Sequence, residues 1–352
     1  MRVSFGLAAV YSADESVELI RAADAAGLHG CYLGDDLSLH DPWVLCGAAA
    51  RETRSIRLGF SVTHAYLRTP TLIAQALATL DQLSDGRIEA GVGLGGPQLL
   101  DAHHVDWRDR PMARLREALE VIRRLLQEGR LDHEGEFFRY TDVELGVRPV
   151  QPHVPLLVGA MVGPRSFQLA GEVGDGVHAG GCSRAYATYV VEQVAEGARR
   201  ASRDPRELDV ATYAITAVAE DAEAARFAAR AMVAGWMPAF PRRLIVRHGF
   251  DESVIDPIVA AMSSGDQDEA MRRIPDELVD ALAVAGTPEE CVEKIRRDLV
   301  EPGIGHVIMG IADPGLVAAV AGSDVNVPDV RGQLSLIGDR VIPALAGVSS
   351  AK

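Results

Sequence analysis

Short apolar runs alternate with amphipathic segments along most of this chain. The runs typical of strands lie at residues 3–9, 30–33, 56–62, 88–93, 155–159, 176–179, 209–218 and 306–311. Between them, apolar residues recur every three or four positions, which indicates helices at 13–26, 42–52, 70–83, 112–126, 165–173 and 184–201. Eight strands, each followed by a helix, predict an α/β fold of the (β/α)8 TIM-barrel type.

An open, doubly wound sheet is the alternative arrangement of such a pattern. It is disfavoured because no G-x-G-x-x-G turn follows the first strand. Residues 129–152 are rich in turn formers, and they predict a loop or a small hairpin between the fourth and fifth barrel strands.

A long helical stretch separates the seventh and eighth strands. Residues from about 221 to 284 are continuously helical in pattern, which is too long for one barrel helix. The stretch predicts a helical insertion within a single domain spanning residues 1–352. Thr287 and Glu290 then form a capping box, and a final helix is expected around 333–346.

Composition narrows the possible partners and compartments. The net charge of -15 disfavours nucleic-acid binding, and no apolar run reaches the length of a membrane span. The N-terminus is typical of a first strand rather than of a signal peptide, so a cytoplasmic protein is expected. The four cysteines form no C-x-x-C pair, and His103-His104 has no third ligand at metal-binding spacing, so no metal site is predicted.

Glycine-rich turns follow three of the predicted strands. In a parallel barrel the active site lies at the carboxyl ends of the strands, so these turns are candidate ligand sites. Two of them precede helices and could hold a phosphate, since glycine lets the backbone approach closely and a helix start offers free N–H groups. A plain tight turn is the alternative in each case. The candidates in these two turns are Gly159, Ala160, Gly163, Pro164, Arg165, Gly180 and Gly181. The third turn, after the fourth strand, contains Gly93 and Gly95, which could leave space for a flat ring.

Four ionisable residues also lie at the predicted strand ends. Asp35 and Asp36 follow the second strand, His64 follows the third, and His178 lies in the sixth. Histidine titrates in the range that suits proton transfer, although a lone histidine is more often structural. Asp35, Asp36 and His64 are therefore the candidate catalytic residues, with one aspartate expected to line the pocket and the other to cap the next helix.

Three segments near the third and fourth strands are distinctive, namely RLGFSVT at 57–63, ATLDQLSDGR at 78–87 and GVG at 91–93. Together they resemble the luciferase-like monooxygenase superfamily. Further segments are similar to the branch that contains methylenetetrahydromethanopterin reductase, namely THAYLRTP at 63–70, VGA at 158–160, LAGEVGDG at 169–176, RHG at 247–249 and AGTP at 285–288.

The resemblance implies a homodimer that binds coenzyme F420, a 5-deazaflavin. It places the phosphate near Gly163 and Gly180-Gly181, with His178 also among the cofactor-binding residues. It also implies a non-prolyl cis peptide at Ser61-Val62 that bends the ring, which brings Ser61, Val62 and Thr63 to the cofactor. The sequence departs from the reductase pattern at Ala8, Asp36 and Gly96, where a glutamate, a histidine and an aspartate are expected.

Three hypotheses follow. The first is an F420-dependent oxidoreductase that transfers a hydride between the deazaflavin and a small organic substrate, as the reductase does. The second is an FMN-dependent monooxygenase of the same fold, and the third is a non-catalytic barrel that binds a phosphorylated ligand or a partner.

Overall fold

The computed structural model describes residues 1–8, 10–323 and 325–347. Ala9, at the end of the predicted first strand, lies outside the described residues. The central feature is a ring of parallel strands: β1 (Arg2–Leu7), β2 (Gly30–Leu33), β3 (Arg57–His64), β4 (Ile88–Gly93), β7 (Leu156–Gly159), β8 (Gly176–Gly180), β9 (Asp209–Val218) and β11 (His306–Ile311).

The ring is closed by the pairing of its first and last strands. β1 pairs in parallel with β2 on one side and with β11 on the other, where Arg2 lies opposite His306. β11 pairs with β9, and β9 pairs with β8, so the eight strands form a continuous barrel. The predicted (β/α)8 barrel is confirmed.

Helices surround the barrel on the outside. They are α1 (Ala13–Ala25), α2 (Pro42–Glu52), α3 (Pro70–Leu83), α4 (Pro97–Ala102), α5 (Pro111–Glu128), α6 (Pro164–Val173), α7 (Arg184–Arg200), α13 (Pro288–Lys294), α14 (Pro314–Ala321), α15 (Val330–Leu336) and α16 (Ile342–Leu345). The capping box of Thr287 and Glu290 begins α13 as predicted. The short helices α4 and α14 were not predicted, since neither is long enough to show a clear period. Within the part of the chain that the structure describes, no helix is both long and apolar enough to cross a membrane.

Residues 129–152 contain the hairpin that the turn-rich composition allowed. Its strands are β5 (Arg130–Glu134) and β6 (Arg139–Glu144), and they pair antiparallel outside the barrel.

The insertion between β9 and β11 is helical, with one exception at its end. It consists of α8 (Ala222–Trp236), α9 (Arg242–Arg247), α10 (Ile255–Ser264), α11 (Gln267–Arg273), α12 (Asp276–Leu282) and the strand β10 (Ala283–Gly286). The prediction of helix as far as residue 284 is therefore wrong. β10 pairs with the upper half of β9, where Ala283 lies opposite Ile215, and this free edge of β9 overrides the local helical tendency.

The amino-terminal end of the barrel is filled by a network of buried polar side chains. Glu89 accepts hydrogen bonds from Tyr32 and Arg57, while His306 bonds to Ser4 over 2.7 Å and to Asp209 over 3.0 Å. Burial alone would raise the pKa of Glu89, but Arg57 and Tyr32 outweigh it and hold that pKa below its usual value. Because this end is packed and internally paired, a ligand has to enter from the carboxyl ends of the strands.

Candidate functional site

The end of β3 has an unusual backbone. The peptide bond between Ser61 and Val62 is cis, as the family resemblance implies, and the register between β3 and β4 shifts between Phe60 and Thr63. Val62 is half-buried at the carboxyl end of the barrel, hereafter the mouth. The structure therefore brings Ser61, Val62 and Thr63 to the place where the cofactor was expected.

Three glycines surround the side chain of Val62. A Cβ atom would lie 2.5 Å from Val62 Cγ1 at Gly159, 2.8 Å from Cγ2 at Gly93 and 3.1 Å from Cγ1 at Gly91. Distances below 3 Å are not tolerated between carbon atoms, so Gly93 and Gly159 are required by packing. The predicted glycines thus shape the mouth by making room for the Val62 side chain. Neither interpretation of these glycines, as room for a flat ring or as plain tight turns, predicted this contact.

His64 is the last residue of β3 and is packed against Gly95. Gly95 has φ of 81°, and a Cβ there would lie 3.0 Å from His64 Cγ. His64 is buried, and its Nδ1 has no hydrogen-bond partner among the described residues. Burial lowers the pKa of His64, and the nearby carboxylate of Asp35 offsets part of that shift. The lowered pKa favours the neutral imidazole, whose buried Nδ1 has no partner among the described residues.

Asp35 is held rigidly beside His64. Its Oδ2 accepts hydrogen bonds from Thr63 Oγ1 at 2.7 Å and from Trp43 Nε1 at 3.1 Å, and Arg68 Nε lies 3.4 Å from the same oxygen. None of the hydrogen bonds made by the described residues uses Oδ1. The carboxylate is thus fixed by one oxygen and offers the other to a ligand.

Asp36 does not join this group. It is exposed, and its Oδ1 accepts hydrogen bonds from the backbone N–H and hydroxyl of Ser38 at 2.8 Å and 2.7 Å. One of the two aspartates was expected to cap the next helix, and this expectation is wrong. Asp36 stabilises a local turn, and Asp41 caps α2.

The amino terminus of α6 is open. Gly163 is its N-cap residue, no side chain caps the helix, and a Cβ at Gly163 would meet only Ser166 Oγ, at 3.9 Å. Pro164 is the first helical residue, and the exposed Arg165 lies in the same turn. Free N–H groups, a helix dipole and a cationic side chain together suit an anion.

The second predicted anion site is less open. The N–H of Gly180 donates to the Tyr186 hydroxyl at 3.2 Å, and the N–H of Gly181 donates to the carbonyl of Tyr213 at 2.8 Å. Gly181 has φ of 106°, and a Cβ there would lie 2.2 Å from Nε2 of His248, a residue of the insertion. Gly181 therefore serves a close approach between the barrel and the insertion, whereas a Cβ at Gly180 would lie 3.1 Å from Met161 Cε in the loop after β7.

His178 lies inside the barrel rather than at its mouth. Its side chain is 3% exposed, its ring packs edge-on to Tyr32 with 4.9 Å between centroids, and neither ring nitrogen has a hydrogen-bond partner among the described residues. Burial lowers the pKa of His178 to about 4. Any effect on a cofactor would be indirect, through Gly91 and Val62 above it.

Trp43, Arg68 and His248 are site residues that sequence reasoning missed. Trp43 stacks on Phe60 at 4.0 Å between ring centroids, and its indole N–H donates to Asp35. It lies in the first turn of α2, the helix that follows β2, and an aromatic residue at that position is the signal that could have revealed it. His248 hydrogen-bonds Ser183 over 2.7 Å, but that contact joins residues 65 positions apart, which no local pattern reveals.

A family model described as luciferase-like monooxygenase matches residues 4–306 of this chain. The chain belongs to the luciferase-like monooxygenase family. In this family, 5,10-methylenetetrahydromethanopterin reductase from Archaeoglobus fulgidus is 29% identical over 330 residues, which cover 93% of this chain and 94% of that protein.

Solved structures of the family agree. The coenzyme F420-dependent tetrahydromethanopterin reductase from Methanopyrus kandleri superposes with a TM-score of 0.86 at 27% identity, covering 97% of this chain and 99% of that one. The oxygenating constituent of 3,6-diketocamphane monooxygenase from Pseudomonas putida, in complex with FMN, has a TM-score of 0.69 at 20% identity and shares the fold, covering 97% of this chain and 99% of that one. The chain is thus an oxidoreductase of this family, which disfavours the hypothesis of a non-catalytic barrel.

The packing of Val62 gives a direct prediction. Gly159→Ala should lower the free energy of unfolding by roughly 1–3 kcal/mol, the usual cost of overpacking. In a Val62→Ala background the same substitution should cost less than about 1 kcal/mol, because the overlapping methyl groups are gone. Denaturant unfolding of the four proteins measures both values.

Gly34→Ala is the matched control, since a Cβ at Gly34 meets no atom within 4 Å. If Gly159→Ala costs the same with and without Val62, the glycine is required for another reason.

Proposed function

We propose that this protein transfers a hydride between coenzyme F420 and an organic substrate. The observation that carries the proposal is Val62, which follows the cis peptide, fills the space left by three glycines and lies beside Asp35 and His64 at the mouth. The named dependence of the Methanopyrus reductase on coenzyme F420 supports the same cofactor here.

The residues at the mouth fit such a cofactor. A Cβ at Gly34 or Gly96 would meet no atom within 4 Å, so there is open space on both sides of β3. The uncapped start of α6 suits the phosphate, with Arg165 as its cation, and Val62 offers an apolar surface to the ring. Bound there, the deazaflavin supplies the carbon that gives up or accepts a hydride.

The protein's own contribution is to position groups and to hold a proton. Thr63, Trp43 and Arg68 fix one oxygen of Asp35, so that Oδ1 can accept a hydrogen bond from a ligand. His64 Nδ1 is buried and free of partners, so it can donate or accept one proton in an environment from which water is excluded. We assign the proton-handling role to this pair and not to Asp36.

The cofactor itself can be tested by titration. We expect purified protein to bind F420 more tightly than FMN, and Arg165→Ala to weaken F420 binding about tenfold, because a charge-assisted contact to the phosphate is lost. Arg199→Ala, on the outer helix α7, should leave F420 affinity unchanged. Fluorescence of the deazaflavin reports the affinity for F420, and fluorescence of the flavin reports the affinity for FMN.

A preference for FMN in this titration, with oxygen consumed when the flavin is reduced, would instead establish the monooxygenase alternative.

The proton assignment has its own test. With F420 bound, Asp35→Asn should lower kcat by about 10²-fold, the lower range for loss of a general acid or base, while Asp36→Asn should change it less than about twofold. Oxidation of reduced F420 by a naphthoquinone acceptor provides the rate. Equal loss in the two variants would refute the distinction drawn between the two aspartates.

We also propose that the protein is a homodimer that associates through α2 and α3. Val44 on α2 is 70% exposed, and Leu72 on α3 is 55% exposed, with Leu83 on the same face of α3. A groove lined by Val44, Ala76 and Thr79 runs between the two helices. An exposed apolar face of this kind is typical of a subunit interface.

Analytical ultracentrifugation checks this proposal. The wild type should sediment as a dimer and the Val44→Asp/Leu72→Asp variant as a folded monomer. Phe227→Asp, on the exposed face of α8, should remain dimeric. A monomeric wild type would rule the interface out.

A further inference from the structure

Tyr213 fills the half of the mouth that Val62 does not reach. A Cβ at Gly6 would lie 2.3 Å from Tyr213 Cε2, and a Cβ at Gly310 would lie 2.1 Å from the Tyr213 hydroxyl. Glycine is therefore required on both β1 and β11 so that this ring can lie across the barrel. The floor of the mouth has two parts, with Val62 beside β3, β4 and β7 and Tyr213 beside β9, β11 and β1.

The insertion adds two aromatic rings above Tyr213. Trp236, the last residue of α8, stacks on Tyr213 with 5.7 Å between centroids, and Phe240 packs edge-on to Trp236 at 6.2 Å. All three rings are partly exposed. We call Tyr213, Trp236 and Phe240 the aromatic wall.

Among the described residues of β1, β9 and β11 and of the loops that follow them, the side chains beside the aromatic wall are apolar. The positions that follow Gly6, Tyr213 and Gly310 on the same faces of their strands are Ala8, Ile215 and Ala312, all apolar. Asp313, which follows Ala312, is engaged elsewhere, since its Oδ1 caps α14 by accepting a hydrogen bond from Leu316 N at 3.0 Å. A charged ligand group placed here would be desolvated without a partner, which is costly.

Two polar groups of the wall remain free. None of the hydrogen bonds made by the described residues uses the Tyr213 hydroxyl or the indole N–H of Trp236. Burial raises the pKa of Tyr213 well above its usual value, so the hydroxyl stays protonated and acts as a donor. Two hydrogen-bond donors within an apolar aromatic surface suit the carbonyl oxygens of a flat molecule.

We infer that the substrate is an uncharged, planar conjugated carbonyl compound, such as a quinone, that lies against the aromatic wall and accepts a hydrogen bond from Tyr213. This inference rests on the proposed function. Reduction of a quinone adds one hydride from the reduced cofactor and one proton from the protein or water, and it yields the hydroquinone and the oxidised cofactor.

The test compares two acceptors that differ by one charge, naphthoquinone and naphthoquinone sulfonate. Protein first shown to bind F420 is supplied with the reduced cofactor and either acceptor, and quenching of tryptophan fluorescence gives binding independently of turnover. Naphthoquinone should have a KM at least about tenfold lower than the sulfonate.

Variants locate the effect. Trp236→Ala should raise the KM for naphthoquinone about tenfold, the loss of one good aromatic contact, with F420 affinity unchanged. Tyr213→Phe should lower kcat/KM for naphthoquinone while naphthoquinone binding changes less. Phe227→Ala, on the exposed side of the same helix α8, should change neither parameter.

The outcomes separate the two claims. Equal or better use of the sulfonate, no binding of naphthoquinone, or an unchanged KM in Trp236→Ala overturns this inference while F420 binding leaves the proposed function in place. Failure to bind F420 at all overturns the proposed function itself.

Discussion

The interior of the barrel at the mouth has room for two large side chains only because five strand positions are glycine. Val62 occupies the space beside Gly91, Gly93 and Gly159, and Tyr213 occupies the space beside Gly6 and Gly310. Since protein interiors are close-packed, a methyl group at Gly6, Gly93, Gly159 or Gly310 would displace one of the two side chains. A methyl group at Gly91 would meet Phe60 O and His178 Nδ1 first, at 2.6 Å and 2.8 Å. Every other feature of the site is arranged around this floor.

The acidic group of the site is aligned by the same segment. The backbone N–H of Asp35 donates to the carbonyl of Val62 at 3.2 Å, and the hydroxyl of Thr63 donates to the Asp35 carboxylate at 2.7 Å. The loop after β2 is therefore attached to the end of β3 by both backbone and side chain. A shift of Val62 would move Asp35 with it, so the ring-facing surface and the proton-handling group keep one relative position.

The barrel, its insertion and the residues at its mouth followed from sequence because they depend on local periodicity and on the order of the strands. The roles of individual residues followed less well. Gly93 and Gly159 were predicted as cofactor-binding residues, but their contact with Val62 depends on the register between strands, which the sequence does not reveal. His178 was expected near the cofactor, yet alternation along β8 turns its side chain into the barrel. The contacts of His248 and Trp236 join the insertion to the barrel across long sequence separations, and no local pattern encodes them.

The most direct test of this account is a crystal structure of the protein with coenzyme F420 bound. We expect the deazaflavin ring to lie against Val62, its phosphate to lie at the start of α6 near Arg165, and the space beside Tyr213 and Trp236 to remain free for the substrate. A ring placed against Tyr213 and Trp236, or a phosphate bound away from α6, would contradict the assignment of the two halves of the mouth.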